Sequence, residues 1–245
     1  VERPKQHFKP SISAETQFAR ALRWVAKVSG HIVEAHTDGV KIRQPEEMKR
    51  ALHAYSQLID PWARRQANKM LVAVAKSNSR AYRRRSKEIG KLLKANVAER
   101  EVGETAAKLM TEQVELIKSI PLKAGQRAQE LSMRAVYEGK RADQVAEELA
   151  ASGKVSESDA MLIARTEVAR ANASITQARA EAAGSLQYRW RNSGDESVRE
   201  AHKRYKGRKL DGQIFSWDSP PTLDDGTTGH PGTFPNCRCY PEPVF

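Results

Sequence analysis

Over residues 13–184 apolar side chains recur at intervals of three and four, and over the last fifty residues that rhythm stops. A long stretch of one period followed by a short stretch without it restricts the chain to helices first and an irregular, turn-rich region afterwards. Phe18, Leu22, Val25, Val28 and Ile32 predict an amphipathic helix over residues 13–35 that ends near Asp38-Gly39. After Pro45, a good first helical residue, Met48, Leu52, Tyr55, Leu58, Ile59, Trp62, Met70, Leu71 and Val74 keep the period, with Pro61 as a break or kink. No proline occurs between Pro61 and Pro121, so one long helix or two abutting ones fill that span, with Ser77-Asn78-Ser79 and Gly90 as weak points. Pro121 is the next expected breaker. Two helices are expected over residues 122–137 and 142–151, and the Ser156-Glu157-Ser158-Asp159 capping box is expected to open a last one reaching Gly184.

From Leu186 the period becomes two. Leu186, Tyr188 and Trp190 alternate with Gln187, Arg189 and Arg191, as in a half-buried strand. A short helix over residues 197–206, capped by Asp195, and a second strand over residues 213–217 are expected next. The remainder is dense in Pro, Gly and Asp, which set turns by fixing φ or by local hydrogen bonding. The expected fold class is α+β: a mainly helical region over residues 1–120, then a small α+β domain over residues 121–245 with a short antiparallel sheet and irregular loops. The boundary is softest near residues 119–121.

Only 6% of the residues are aromatic, so the core is lean even though 39% are hydrophobic. No apolar run approaches the length needed to cross a membrane, and the first ten residues lack the hydrophobic stretch of a secretory signal. Cys237 and Cys239 sit one residue apart and provide no disulfide framework, which points to synthesis in a reducing cytosol.

The net charge of +12 is unevenly placed. Residues 1–120 hold 24 Lys/Arg against 13 Asp/Glu, leaving 18 against 17 for the rest. At 100° per residue Arg65, Lys69, Lys76, Arg80, Arg83, Lys87, Lys91 and Lys94 fall within about 80° of one another, so a helix would carry them on one face roughly 43 Å long. Glu88 is the only carboxylate between Asp60 and Glu99, and an i,i+4 salt-bridge lattice cannot account for the pattern. Three readings follow: contact with double-stranded DNA through its phosphates and without sequence preference, docking of an acidic protein, or a solvated face.

Cys237, Cys239, His202 and His230 are the residue types of a tetrahedral zinc site, and four protein ligands would make it structural rather than catalytic. A single C-x-C is less diagnostic than paired C-x-x-C motifs, and buried reduced cysteines or a redox pair are the other readings. Asp195, Arg199 and His202 suggest acid–base chemistry, yet no nucleophile elbow, H-E-x-x-H or phosphate loop accompanies them, so no catalytic residue is assigned. Glu167 and Arg170, at i,i+3, suit a helix-surface pair.

Four separated blocks carry a resemblance. ARTEVARAN (residues 164–172), GDESVREAH (194–202), DGQIFSWDSPP (211–221) and HPGTFPNCRC (230–239), in that order, resemble the Mu F-like family of phage minor head proteins. The resemblance implies a non-enzymatic minor head protein of a tailed phage, acting in head morphogenesis near the portal and associated with packaged DNA. It further implies the portal protein, scaffold or major capsid protein as partners. The implied location is the virion, at the head interior or portal vertex, after assembly in the host cytoplasm. The rival classes are a DNA-acting enzyme such as a nuclease, a toxin carrier built on the same domain, and a nucleic-acid adaptor with no virion role. The sequence closes four residues past Pro241, and no appended catalytic domain is expected.

Overall fold

The computed structural model describes residues 7–37, 42–89, 99–138, 142–194 and 198–245. Among the described residues five helices come first: α1 (Ile12–Ala35), α2 (Pro45–Leu58), α3 (Asp60–Ile89), α4 (Glu99–Glu138) and α5 (Ala142–Ala182). The strands β1 (Gln187–Arg191), β2 (Arg204–Tyr205), β3 (Arg208–Lys209), β4 (Ile214–Ser216) and β5 (Tyr240–Val244) follow, giving the expected α+β class. No helix among the described residues is long and apolar enough to cross a membrane.

Proline and glycine set three of the helix boundaries. Pro45 opens α2, and Pro61 sits in the first turn of α3, where its missing N–H has no helical partner to lose. Pro61 therefore separates two helices, as expected. Gly184, at φ 80°, closes α5: the Ser185 N–H reaches the Ala180 carbonyl at 2.8 Å and the Gly184 N–H reaches Glu181 at 2.9 Å, a Schellman cap.

Several expectations are corrected. Pro121 does not end a helix but lies inside α4. Hydroxyls serve carbonyls in the turn before it, Ser56 Oγ donating to Lys118 and Ser119 Oγ to Leu116, both at 2.8 Å. Ser77-Asn78-Ser79 do not interrupt α3, because Asn78 is buried and hydrogen-bonded there. The capping-box sequence at residues 156–159 lies within α5, so helix continuity prevails over a local preference worth about 1 kcal/mol. The helix expected over residues 197–206 is a single 3-10 turn, Glu200–His202. It gives way to the β2–β3 hairpin, whose two-residue turn places Lys206 at φ 50° and Gly207 at φ 73°, the conformation that tight hairpins require. Asp38-Gly39, Gly90 and Asp195 lie outside the described residues.

The chain groups into two compact units. One comprises Val1–Glu15, Lys69–Leu109 and Arg165–Phe245, the other Thr16–Asn68 and Met110–Ala164. The boundary expected near residue 120 falls inside α4. In the first unit β1 is the central strand of an antiparallel sheet ordered β4-β1-β5. Tyr188 and Trp190 point from β1 into a core with Ala180, Leu210, Trp217, Leu223, Cys237 and Cys239. Strand β5 was not foreseen, because Pro241 and Pro243 argue against a strand; it is an edge strand, where missing donors cost no ladder bond. A second cluster in this unit joins Phe8, Ala81, Tyr82 and Tyr240. The other unit packs Val33, Met48, Leu52 and Ala128 together, with Trp24 and Trp62 at 5.2 Å between ring centroids.

Candidate functional site

The ARTEVARAN block forms the part of α5 on which the HPGTFPNCRC loop is seated. The Arg165 guanidinium donates to Asn236 Oδ1 at 2.6 Å, and the Asn236 N–H donates to Thr166 Oγ1 at 2.8 Å. Asn236 has φ 55°, a left-handed turn conformation that Asn tolerates better than most residues. Gly232, at φ 90°, lies so close that a Cβ there would be 3.1 Å from the carbonyl oxygens of both Ala169 and Cys239. Glu15 is buried and accepts from Arg165 and Arg238, each at 3.1 Å, so one carboxylate binds both the helix and the cysteine loop. Glu167 and Arg170 pair at 2.6 Å.

This seating presents the two cysteines to His202. Cys237 Sγ lies 3.5 Å and Cys239 Sγ 3.7 Å from His202 Nδ1, and all three residues are buried. The candidate ligand atoms lie within 4.8 Å of one another. The Cys239 N–H donates to Cys237 Sγ at 3.3 Å, and Cys239 Sγ is 3.5 Å from Asn192 Oδ1. A hydrogen bond from the Cys239 side chain, opposed by burial and aided by His202, holds the Cys237 thiol well below the ordinary thiol range. The same coupling to Cys237, together with burial, pushes Cys239 up. The cavity beside them measures only about 30 Å³ and is bordered by Arg165, Ser193, Val198 and Arg199.

His230 is not brought to this cluster. Its Nδ1 lies 3.0 Å from the Tyr188 hydroxyl, and its ring packs 5.3 Å from Tyr188 and 6.0 Å from Trp217. Burial holds its imidazole below the ordinary value of 6.5. Of the four proposed ligands, three converge. Sequence reasoning missed Glu15, Asn192, Gly232 and Asn236; Pro231-Gly232 and Pro235-Asn236 were its available signals, both being turn dipeptides.

The second candidate site is the outer face of α3. Arg65, Lys69, Lys76, Arg80, Arg83 and Lys87 are all exposed, while Ala63, Ala67, Met70 and Val74 are buried. Lys91 and Lys94 lie outside the described residues. The two carboxylates of α3, Asp60 and Glu88, are engaged by other side chains. Asp60 binds Lys118 at 2.9 Å and Arg64 at 2.7 Å, which hold its carboxyl below the usual range. Glu88 is 2.8 Å from His7 Nε2 and 3.7 Å from Arg85. Lys76, Arg80 and Arg83 share with Arg179 an open cavity of about 420 Å³. Arg179 is fixed by Asn78 Oδ1 at 2.7 Å and the Ala75 carbonyl at 3.3 Å.

Comparison with known proteins agrees with the blocks that build the cysteine loop. The sequence model of the family described as Phage Mu protein F like protein matches residues 126–241. An uncharacterized protein of Haemophilus influenzae is 39% identical over 132 residues, covering 54% of this chain and 28% of that protein. The chain thus corresponds to under a third of the length of the curated relative it matches. No solved structure gives a significant match. Residues 126–241, which hold α5, β1 to β4 and the cysteine loop, are thus similar to the phage Mu F-like proteins.

Proposed function

We propose that the chain is a non-enzymatic minor head protein of a tailed phage, acting in head morphogenesis near the portal, and that the exposed face of α3 contacts packaged DNA. The family match supports the setting. The observation that carries the DNA contact is the exposed row Lys69, Lys76, Arg80, Arg83 and Lys87, continued by Arg65, with its neighbouring carboxylates bound to other side chains. From Lys69 to Lys87 the row is about 27 Å long at 1.5 Å per residue, enough to meet several successive phosphates. Side chains of this kind fix a protein on duplex DNA without reading bases. The buried Arg179 places a further cation in the cavity beside the row, within a shape open enough for a phosphate.

A salt titration of duplex binding tests the reading. With about six phosphates engaged, the slope of log affinity against log salt is expected near −5, and equal for unrelated sequences. Replacing Arg65, Lys69, Lys76, Arg80, Arg83 and Lys87 by Gln is expected to flatten it while the helical circular dichroism is kept. The same slope in wild type and variant would remove DNA from the proposal.

A further inference from the structure

We propose that His202, Cys237 and Cys239 form a structural zinc site with three protein ligands and one water, and that His230 takes no part in it. The inference is independent of the head-protein reading. One imidazole nitrogen carries either a single lone pair or a single proton, yet two sulfurs converge on His202 Nδ1, at 3.5 and 3.7 Å. A shared hydrogen bond satisfies one of those contacts, whereas a cation between the three atoms satisfies both. The distances agree with that. Zinc bonds of about 2.3 Å to sulfur and about 2.0–2.1 Å to nitrogen, at tetrahedral angles, separate N from S by about 3.6 Å. Small adjustments are all the site needs.

The surroundings suit a thiolate-bound ion. The Cys239 N–H already donates to Cys237 Sγ, a bond that strengthens as the sulfur takes negative charge. On binding, both thiols release their protons to solvent and the two thiolates neutralise the dication, so the buried centre carries no net charge. Soft sulfur donors with one imidazole select zinc over magnesium or calcium, which require oxygen. The fourth position opens on a cavity of about 30 Å³. That volume suits a water as the fourth ligand, and the burial of His202, Cys237 and Cys239 suits an ion that holds the fold together. Its effect is to tie the His202 turn to the cysteine loop, two segments with little regular backbone bonding of their own.

The full chain, purified without chelator, is expected to contain about one zinc per molecule by elemental analysis. Exchange for cobalt is expected to give thiolate-to-metal charge-transfer absorption, and chelator to lower the melting temperature. Cys237→Ser and Cys239→Ser are expected to lose the metal, whereas His230→Gln is expected to retain it. Because the cysteine variants could fail to fold, the cobalt spectrum of the wild type stands as a separate measurement. A metal-free wild type that gives no cobalt band and melts identically with chelator overturns the proposal. Loss of zinc in a folded His230→Gln variant overturns the three-ligand assignment.

Discussion

Two glycines show how differently the same substitution acts at single residues. Gly232 sits at φ 90°, and a Cβ there would stand 3.1 Å from two carbonyl oxygens that belong to helix and loop backbone. Gly232→Ala is expected to cost about 2–3 kcal/mol, strain and crowding acting together, read as a lowered urea midpoint. Gly125 is within α4, and its added Cβ would meet only Leu52 Cδ1, at 2.7 Å, the movable end of a side chain. Helix propensity favours alanine there by about 1 kcal/mol, so Gly125→Ala is expected to leave stability within about 1 kcal/mol of the wild type. His230 supplies a pH dependence. Burial depresses its folded-state pKa, so below 6.5 the unfolded chain takes up the proton first. Its contribution is complete above that value and is lost as pH falls. Melting temperature should decline on acidification through this window, and less steeply in His230→Gln.

At the scale of elements, α3 and α5 are joined by a buried polar chain as well as by apolar contact. Asn78 Nδ2 donates to Thr176 Oγ1 at 2.7 Å, Thr176 Oγ1 donates to the Asn172 carbonyl, and Tyr82 donates to the Thr176 carbonyl at 2.8 Å. Asn78 Oδ1 also accepts from Arg179. Asn78→Ala leaves a buried guanidinium short of an acceptor and is expected to destabilise the chain by about 2–3 kcal/mol in denaturant unfolding. The helical period in the sequence predicts that α3 has a buried side, and Ala63, Ala67, Met70 and Val74 lie on it. It does not distinguish Asn78 as buried, since an Asn between two serines reads as a helix breaker until Thr176 and Arg179 are placed beside it. The β5 edge was hidden for a related reason: Pro241 and Pro243 are poor strand residues anywhere except along an edge whose outer side has no partner.

For the whole molecule, the head-protein proposal predicts that the chain is found in purified virions or procapsids at low copy number and copurifies with the portal protein. A monomer that associates with no head component in pull-down from infected cells would remove that assignment. The sequence by itself determined the helical majority, the change of period at Leu186, the separation of helices at Pro61, the one-sided charge of α3 and the blocks that the family match covers. Each is a local pattern, set by residue spacing or by turn chemistry within a few positions. The tertiary structure alone decided that α4 continues through Pro121, that α5 continues through a capping-box sequence, and that the chain divides into units built from interleaved segments. It also decided which histidine meets the cysteines. In sequence His230 is the nearer to Cys237, seven positions away against thirty-five for His202. Long-range packing reverses that order: Tyr188 and Trp217 hold His230, while the seating of the cysteine loop on α5 carries both sulfurs to His202.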